Sequence, residues 1–392
     1  MPAILGSLFL FLALSLLPAA PASATPDGHV ADTEIRSAKP GSILRMWPLE
    51  GGVKAGYKGY RILYRSTGLN NEPIPVSGAL LFPDEPKPDR PRPIVAWAHP
   101  TSGVATPCAP SLTPYTAGMV QGIDRFTDAG YVIVATDYAG LGAAGQHPYL
   151  IGSSAARSVL DSVRAARTLH TTHASNRFVV WGHSQGGHAA LFTGREAASY
   201  APELKLLGVA AAAPATDLVK LFEADKTTSS GRSLSSMAIY SWSRVFDFPA
   251  SRFVARRAIP AFERLARDCI LSPSDFFTED SDEKALARNF LVSDPAKDAD
   301  VRRIMTQNSA SPPPSHIPVF IAQGTADTLV RPTITQAFVK SVCRQGGSVT
   351  LHSIPGGSHI FAGRDGAFPA YEWMSLLFDG RAPRNDCSRA LD

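Results

Sequence analysis

The chain has 392 residues, of which 44% are hydrophobic and 18% charged, with a net charge of +4. That balance belongs to a globular chain and excludes an intrinsically disordered one. So small a positive charge, with no basic block, also argues against a nucleic-acid partner.

Residues 3–17 are an apolar run broken only by Gly6, Ser7 and Ser15. The run is too short to cross a bilayer as a helix. It ends in prolines and the small triplet Ala22-Ser23-Ala24, the pattern of a cleaved secretory leader over residues 1–24. No Lys or Arg precedes the run, so an uncleaved N-terminal anchor is the alternative. Export to the periplasm or the medium implies an oxidising compartment, and the four cysteines then read as two disulfides. Three connectivities are open.

Residues 25–56 lack strong periodicity and lead into the first strands. Two short β-rich runs, 60–64 and 76–82, are separated by Gly, Asn and Pro and form a hairpin. Apolar runs at 94–98, 131–136, 178–181, 206–212, 319–322 and 349–354 fit further strands. Helical patterns lie at 119–128, 155–169, 187–199 and 332–344. Continuous apolar strands with helices between them predict a mostly parallel sheet covered on both faces. The alternation stops over 217–315, a stretch with its own helical patterns at 252–269 and 283–291, closed by three prolines. The expected organisation is a core of 25–216 and 316–392, with 217–315 inserted as a helical cap or lid. A peripheral helical decoration is the bland alternative.

Chemistry concentrates in Gly182-His183-Ser184-Gln185-Gly186, directly after the strand Phe178-Val179-Val180-Trp181 and directly before a helix. A serine hydroxyl is a weak nucleophile until a base takes its proton. A tight strand-to-helix turn lifts such a serine above the sheet edge, and glycines flank it where backbones crowd. The elbow predicts an acid and then a histidine downstream. Asp327, in Gly324-Thr325-Ala326-Asp327, follows one late strand, and His359, in Gly356-Gly357-Ser358-His359, follows the next. All three stand at carboxyl ends of strands, where sites in open parallel sheets gather. Asp137 also ends a strand and is the rival acid, although its turn position suits a loop-holding role.

An oxyanion needs two donors. The backbone N–H of Gln185 is one. In the loop His99-Pro100-Thr101-Ser102-Gly103 the proline has no N–H, so Thr101 is the second candidate, with a hydroxyl to add. Of the remaining histidines, His99 or His147 could line the site, but neither occupies the base position. Without His-Glu-x-x-His or Cys-x-x-Cys, no metal is expected. Gly140-Leu141-Gly142-Ala143-Ala144-Gly145 matches a dinucleotide fingerprint, but Gln146-His147-Pro148 follows at once instead of a helix. No cofactor is therefore expected.

As a set, these segments resemble the secretory lipases of fungi and bacteria, which have the α/β-hydrolase fold. The resemblance runs from Ile94 to Cys387 through Ala98-His99-Pro100-Thr101, Cys108-Ala109-Pro110-Ser111, Asp137-Tyr138-Ala139-Gly140-Leu141-Gly142, His147-Pro148-Tyr149, the helix around Ser158 to Arg167, the elbow, and the Asp327 and His359 turns. It implies hydrolysis of carboxylic esters, on acylglycerols or related lipid esters, with Ser184, Asp327 and His359 in the triad positions. It also implies contact with a lipid–water interface, a helical lid, and pairing of Cys108 with Cys269 and Cys343 with Cys387. Pro100 departs from the bacterial pattern, where Gly is common, and leaves the second oxyanion donor open. A serine peptidase of the same fold, or a binding protein that kept the fold without turnover, are the rival functions. The aromatics Tyr240, Trp242, Phe246, Phe248, Phe253 and Phe262 either gate an acyl pocket or pack the cap onto the core.

Overall fold

The computed structural model describes residues 30–85, 87–225, 228–272, 275 and 290–391. The expected leader over 1–24, and most of the helical pattern at 283–291, lie outside the described residues.

A short helix, α1 (Asp32–Ser37), precedes three antiparallel strands, β1 (Ile43–Pro48), β2 (Tyr57–Thr67) and β3 (Pro73–Pro83). The chain continues through β4 (Arg92–Ala98), α2 (Ile123–Asp128), β5 (Val132–Thr136), α3 (Gly152–Thr168), β6 (Ala174–His183), α4 (Gln185–Tyr200) and β7 (Lys205–Ala212). Four helices follow: α5 (Leu218–Asp225), α6 (Ser229–Val245), α7 (Ile259–Leu265) and α8 (Ala299–Gln307). Then come β8 (Val319–Gly324), α9 (Pro332–Arg344), β9 (Val349–Ile354), α10 (Ala362–Phe378) and α11 (Cys387–Leu391). The strands make one sheet in the order β1-β2-β3-β5-β4-β6-β7-β8-β9, parallel from β5 onward.

The inner parallel strands carry unbroken apolar runs, at 94–98, 132–134 and 178–181, because both faces are buried there, whereas the edge strand β9 is mostly half-exposed and mixes Thr350, His352 and Ser353 into its apolar residues. Ile94, Ala96, Val132, Val134, Phe178 and Val180 pack on one face with α3, α4 and α9. Val95, Trp97, Ile133, Val179 and Trp181 pack on the other with α2 and α10. Two disulfides, Cys108–Cys269 and Cys343–Cys387, tie the loop after β4 to the segment beyond α7, and the end of α9 to α11.

The segment between β7 and β8 differs in detail from the sequence expectation. The pattern at 252–269 is α-helical only as α7, with single 3-10 turns at Ala250–Arg252 and Arg256–Ala258 before it. Pro249 and Pro260 account for this, since proline is tolerated in a first turn but not inside a helix. Of the six aromatics, Trp242, Phe253 and Phe262 are fully buried, and only Phe246 is clearly exposed. Trp242 stacks on Phe222 and donates its indole N–H to the Tyr149 carbonyl at 2.8 Å. These rings chiefly fasten the helices to the core.

Candidate active site

Ser184 sits between the last residue of β6 and the first of α4, with φ 57° and ψ −116°. A left-handed backbone at a non-glycine residue is strained, and it persists only where its surroundings fix it. Here the fixing is steric. A Cβ on Gly186 would lie 1.9 Å from the Ala98 carbonyl oxygen, and one on Gly182 would lie 2.1 Å from that of Gly186. With both glycines in place, α4 starts directly against β4 and the serine hydroxyl is lifted out of the sheet edge.

The hydroxyl of Ser184 lies 2.9 Å from Nε2 of His359, and Nδ1 of His359 lies 2.9 Å from Oδ2 of Asp327. The structure thus joins three residues that are 143 and 32 positions apart in the chain. Asp327 and His359 are 3% and 6% exposed, so the ring has little freedom to turn away. The other carboxylate oxygen of Asp327 accepts from the backbone N–H groups of Leu329 and Val330 at 3.0 and 2.8 Å. Gln323 was not foreseen: its amide donates to Oδ2 of Asp327 at 3.2 Å, while the Thr335 hydroxyl donates to its oxygen at 2.6 Å. Asp137 lies elsewhere. Its carboxylate accepts from the hydroxyls of Ser77 and Ser111 and from the Ser111 N–H.

Thr101 and Gln185 both face the nucleophile, lining one cavity with Ser184. The Thr101 hydroxyl is 2.8 Å from the Tyr149 hydroxyl. Tyr149 is in turn pinned by α6, since its N–H donates to Ser241 and its carbonyl accepts from Trp242. His147 is a buried neutral ring whose Nδ1–H donates to the Ala139 carbonyl and whose Nε2 accepts from the Gln185 side-chain amide. Burial pushes its pKa down to about 4, so it stays neutral and holds the side chain next to the nucleophile. His183 donates from Nε2 to the His359 carbonyl at 2.9 Å. Burial first, and the neighbouring His359 second, bring its pKa down to about 3. His99 is likewise pushed down by burial; its Nδ1 lies 2.6 Å from the Pro100 carbonyl and its Nε2 3.2 Å from that of Asp137, and the single N–H of the neutral ring donates to one of them. The glycine-rich stretch from Gly140 to Gly145 opens no helix; the Gly142 carbonyl accepts from Arg61, tying the loop to β2.

Two cavities meet at Ser184. The larger, about 270 Å³, is lined by His359 and Ile360 together with His99, Gly118 and Met119, and by Ile270 and Leu271 from beyond α7. The smaller, about 50 Å³, is lined by Leu218, Leu221, Phe222, Leu234, Leu329 and Val330. It also contains one carboxyl group, that of Asp225. A hydroxyl held by an imidazole, flanked by apolar cavities, is equipped for attack on a carbonyl carbon.

A family model described as secretory lipase matches residues 112–386. Lipase A of Moesziomyces aphidis is 23% identical over 370 residues, which span 88% of this chain and 78% of the relative. Candida antarctica lipase A has a similar structure, with a TM-score of 0.72 at 18% identity over 91% of this chain and 86% of the other. The esterase LipA of Xanthomonas oryzae, described as rice cell wall degrading, has a TM-score of 0.68 at 22% identity, covering 88% of this chain and all of the other. The fold shared with these structures is the α/β-hydrolase fold.

Proposed function

Since this chain belongs to the secretory lipase family, we propose that Ser184, His359 and Asp327 form the catalytic triad of a secreted enzyme that cleaves lipid esters through an acyl-enzyme. The chain is a carboxylic ester hydrolase; the proposal concerns how it works and on what. The observation that carries it is the pair of 2.9 Å hydrogen bonds joining Asp327 to His359 and His359 to Ser184.

In this mechanism His359 takes the proton of Ser184 as the hydroxyl oxygen attacks the ester carbon. It then gives that proton to the departing alcohol, and the cycle repeats with water. Asp327 holds the ring in the tautomer that leaves Nε2 free to accept, and it stabilises the cation formed. The oxyanion is held by the backbone N–H of Gln185 and by Thr101. Tyr149 donating to the Thr101 hydroxyl would leave the threonine's own proton for the oxyanion, which answers the difficulty raised by Pro100. Because His359 borders the larger cavity and not the smaller, the leaving alcohol is assigned to the larger and the acyl group to the smaller. Residues 217–315 act as a cap, since α5 and α6 wall the acyl side and Ile270 and Leu271 the alcohol side. The apolar lining suits lipid esters, and residues 1–24 act as the export leader.

A fluorophosphonate probe tests the assignment. It should label the wild type at Ser184 and leave Ser184→Ala unlabelled, with turnover down by about 10⁶. A p-nitrophenyl ester panel from acetate to palmitate measures the acyl range. Labelling at another serine, or turnover surviving in Ser184→Ala, would remove the triad reading.

A further inference from the structure

The smaller cavity contains a group that the proposed mechanism does not use. Asp225 ends α5, is 6% exposed, and lines this cavity together with Ser184. Its Oδ1 has no hydrogen-bond partner among the described residues. The cavity walls beside it are largely apolar, with Leu218, Leu221, Leu234, Leu329 and Val330, and also carry Ser235, while the Arg331 and His359 charges act on the carboxyl from farther off. Gly231 packs closely on the Asp225 backbone, where a Cβ would come within 2.0 Å of the carbonyl oxygen. A buried carboxyl oxygen without a partner is costly. A plain hydrocarbon chain filling this cavity would leave it unpaired in every complex. A chain carrying a hydroxyl would donate to the Asp225 carboxyl and remove the cost.

We infer that Asp225 is a specificity residue that accepts a hydrogen bond from a hydroxyl on the acyl group of the substrate, so that the preferred esters are those of short hydroxy acids. The inference rests on Ser184 being the nucleophile and on the smaller cavity being the acyl side. The cavity volume of about 50 Å³ limits the acyl portion beside Asp225 to roughly three to five non-hydrogen atoms. The hydroxyl therefore belongs on the second or third carbon. A site built to bond a hydroxyl discriminates strongly against the analogue that lacks it, because the protein group is then left unpaired. One hydrogen bond to a charged acceptor corresponds to about tenfold to hundredfold in kcat/KM. Burial raises the Asp225 carboxyl to about 6, so it is largely ionised, and at its strongest as an acceptor, at pH 8.

The test compares p-nitrophenyl butyrate with the racemic 2- and 3-hydroxybutyrates and with 3-aminobutyrate at pH 8, using the full-length secreted enzyme. The wild type should favour one hydroxybutyrate over butyrate by at least about tenfold. In Asp225→Leu that ratio should fall to about one or below. Asp225→Asn, which keeps the shape, should fall in between and serves if the leucine variant does not fold. Equal rates on butyrate and both hydroxybutyrates in the wild type would overturn the inference whatever the variants do. Preference for the amino ester would overturn it in favour of a cation-binding carboxylate. Both failures leave Ser184-dependent turnover intact, whereas turnover that survives Ser184→Ala would instead sink the triad on which the inference rests.

Discussion

Asp327 and Asp137 occupy two regions that look alike on paper. Each follows a parallel strand, β8 or β5, and each is at most 3% exposed. Each carboxylate is also saturated with donors. Asp137 receives two serine hydroxyls and one backbone N–H. Asp327 receives two backbone N–H groups, the Gln323 amide and the His359 ring. The difference lies in what the donors can do next. Serine hydroxyls and amides hold a loop in shape and stop there. An imidazole passes the effect on, because its second nitrogen is 2.9 Å from Ser184. Position at a strand end, which both share, does not make a catalytic carboxylate; a donor that can itself exchange a proton does.

The sharpest way to break this comparison is to replace both carboxylates by amides. Asp327→Asn keeps the shape but favours the wrong tautomer of His359, which in a comparable triad costs about 10⁴ in kcat. The same loss is expected here, with an unchanged melting midpoint to within a few degrees. Asp137→Asn should behave oppositely: it should lose about 2–3 kcal/mol of stability as its charge-assisted bonds weaken, with kcat of the folded fraction within about threefold of wild type. Steady-state kinetics beside thermal scans at a fixed rate measure both. An Asp137→Asn enzyme that melts normally yet is the more crippled of the two would reverse the assignment.

The same comparison explains what the sequence could and could not disclose. The inner strands were legible because two-sided burial forces continuous apolar runs such as 132–134 and 178–181, while β2 and β9, only partly buried, were legible from short runs rich in β-branched and aromatic residues. The edge strand β1 was not, since Ile-Leu-Arg-Met-Trp-Pro mixes charge and proline in the way edge strands tolerate. Helix α6 was hidden by its seven serines, which read as loop. It forms because Thr228 caps Gly231 N–H and because Met237, Ala238 and Trp242 are buried on the core. Motif and order singled out Ser184, Asp327 and His359, which the structure brings within hydrogen-bond reach of one another. His147 was legible only as a residue able to line the site, and Gln323, Tyr149 and Asp225 did not stand out, because a contact such as that of Tyr149 with Thr101 follows no spacing rule and the Gln323 amide four residues before Asp327 matches no motif. Asp225 meets Ser184 only when α5 folds over the sheet edge.

A milder pair of substitutions sharpens the contrast one layer out from the carboxylates. Gln323→Leu removes an amide that donates to Oδ2 of Asp327 and leaves the Thr335 hydroxyl without its acceptor. We expect kcat to fall by about tenfold with KM changed less than twofold, because the ring support loosens while the cavities keep their walls. Ser111→Ala removes a hydroxyl from Asp137 but spares the backbone N–H bond to the other oxygen. It should cost about 1–2 kcal/mol of stability and leave kcat alone. Equal losses of kcat in the two variants would mean that the two carboxylates are coupled rather than separate in role.

The smallest expected effect concerns a third carboxyl, whose environment is the reverse of the other two. Asp225 has burial around it and few donors, and burial raises its pKa from an ordinary 3.8 to about 6. Arg331 and His359 oppose that rise and Asp327 adds to it. An unfolded chain releases this proton near pH 4, while the folded chain keeps it until about pH 6. Between those values the native state binds more protons, so stability attributable to Asp225 is full below pH 4 and lost as pH rises through 6. Asp225→Asn cannot titrate there, so the difference between the two proteins reads the Asp225 proton together with its coupling to Arg331, His359 and Asp327. The melting midpoint of Asp225→Asn minus that of the wild type should therefore climb by a few degrees from pH 4 to pH 7 and then level off. Calorimetric scans at unit steps of pH follow it. A difference that stays flat across this range would mean that Asp225 finds a donor in the folded protein and meets the substrate already paired.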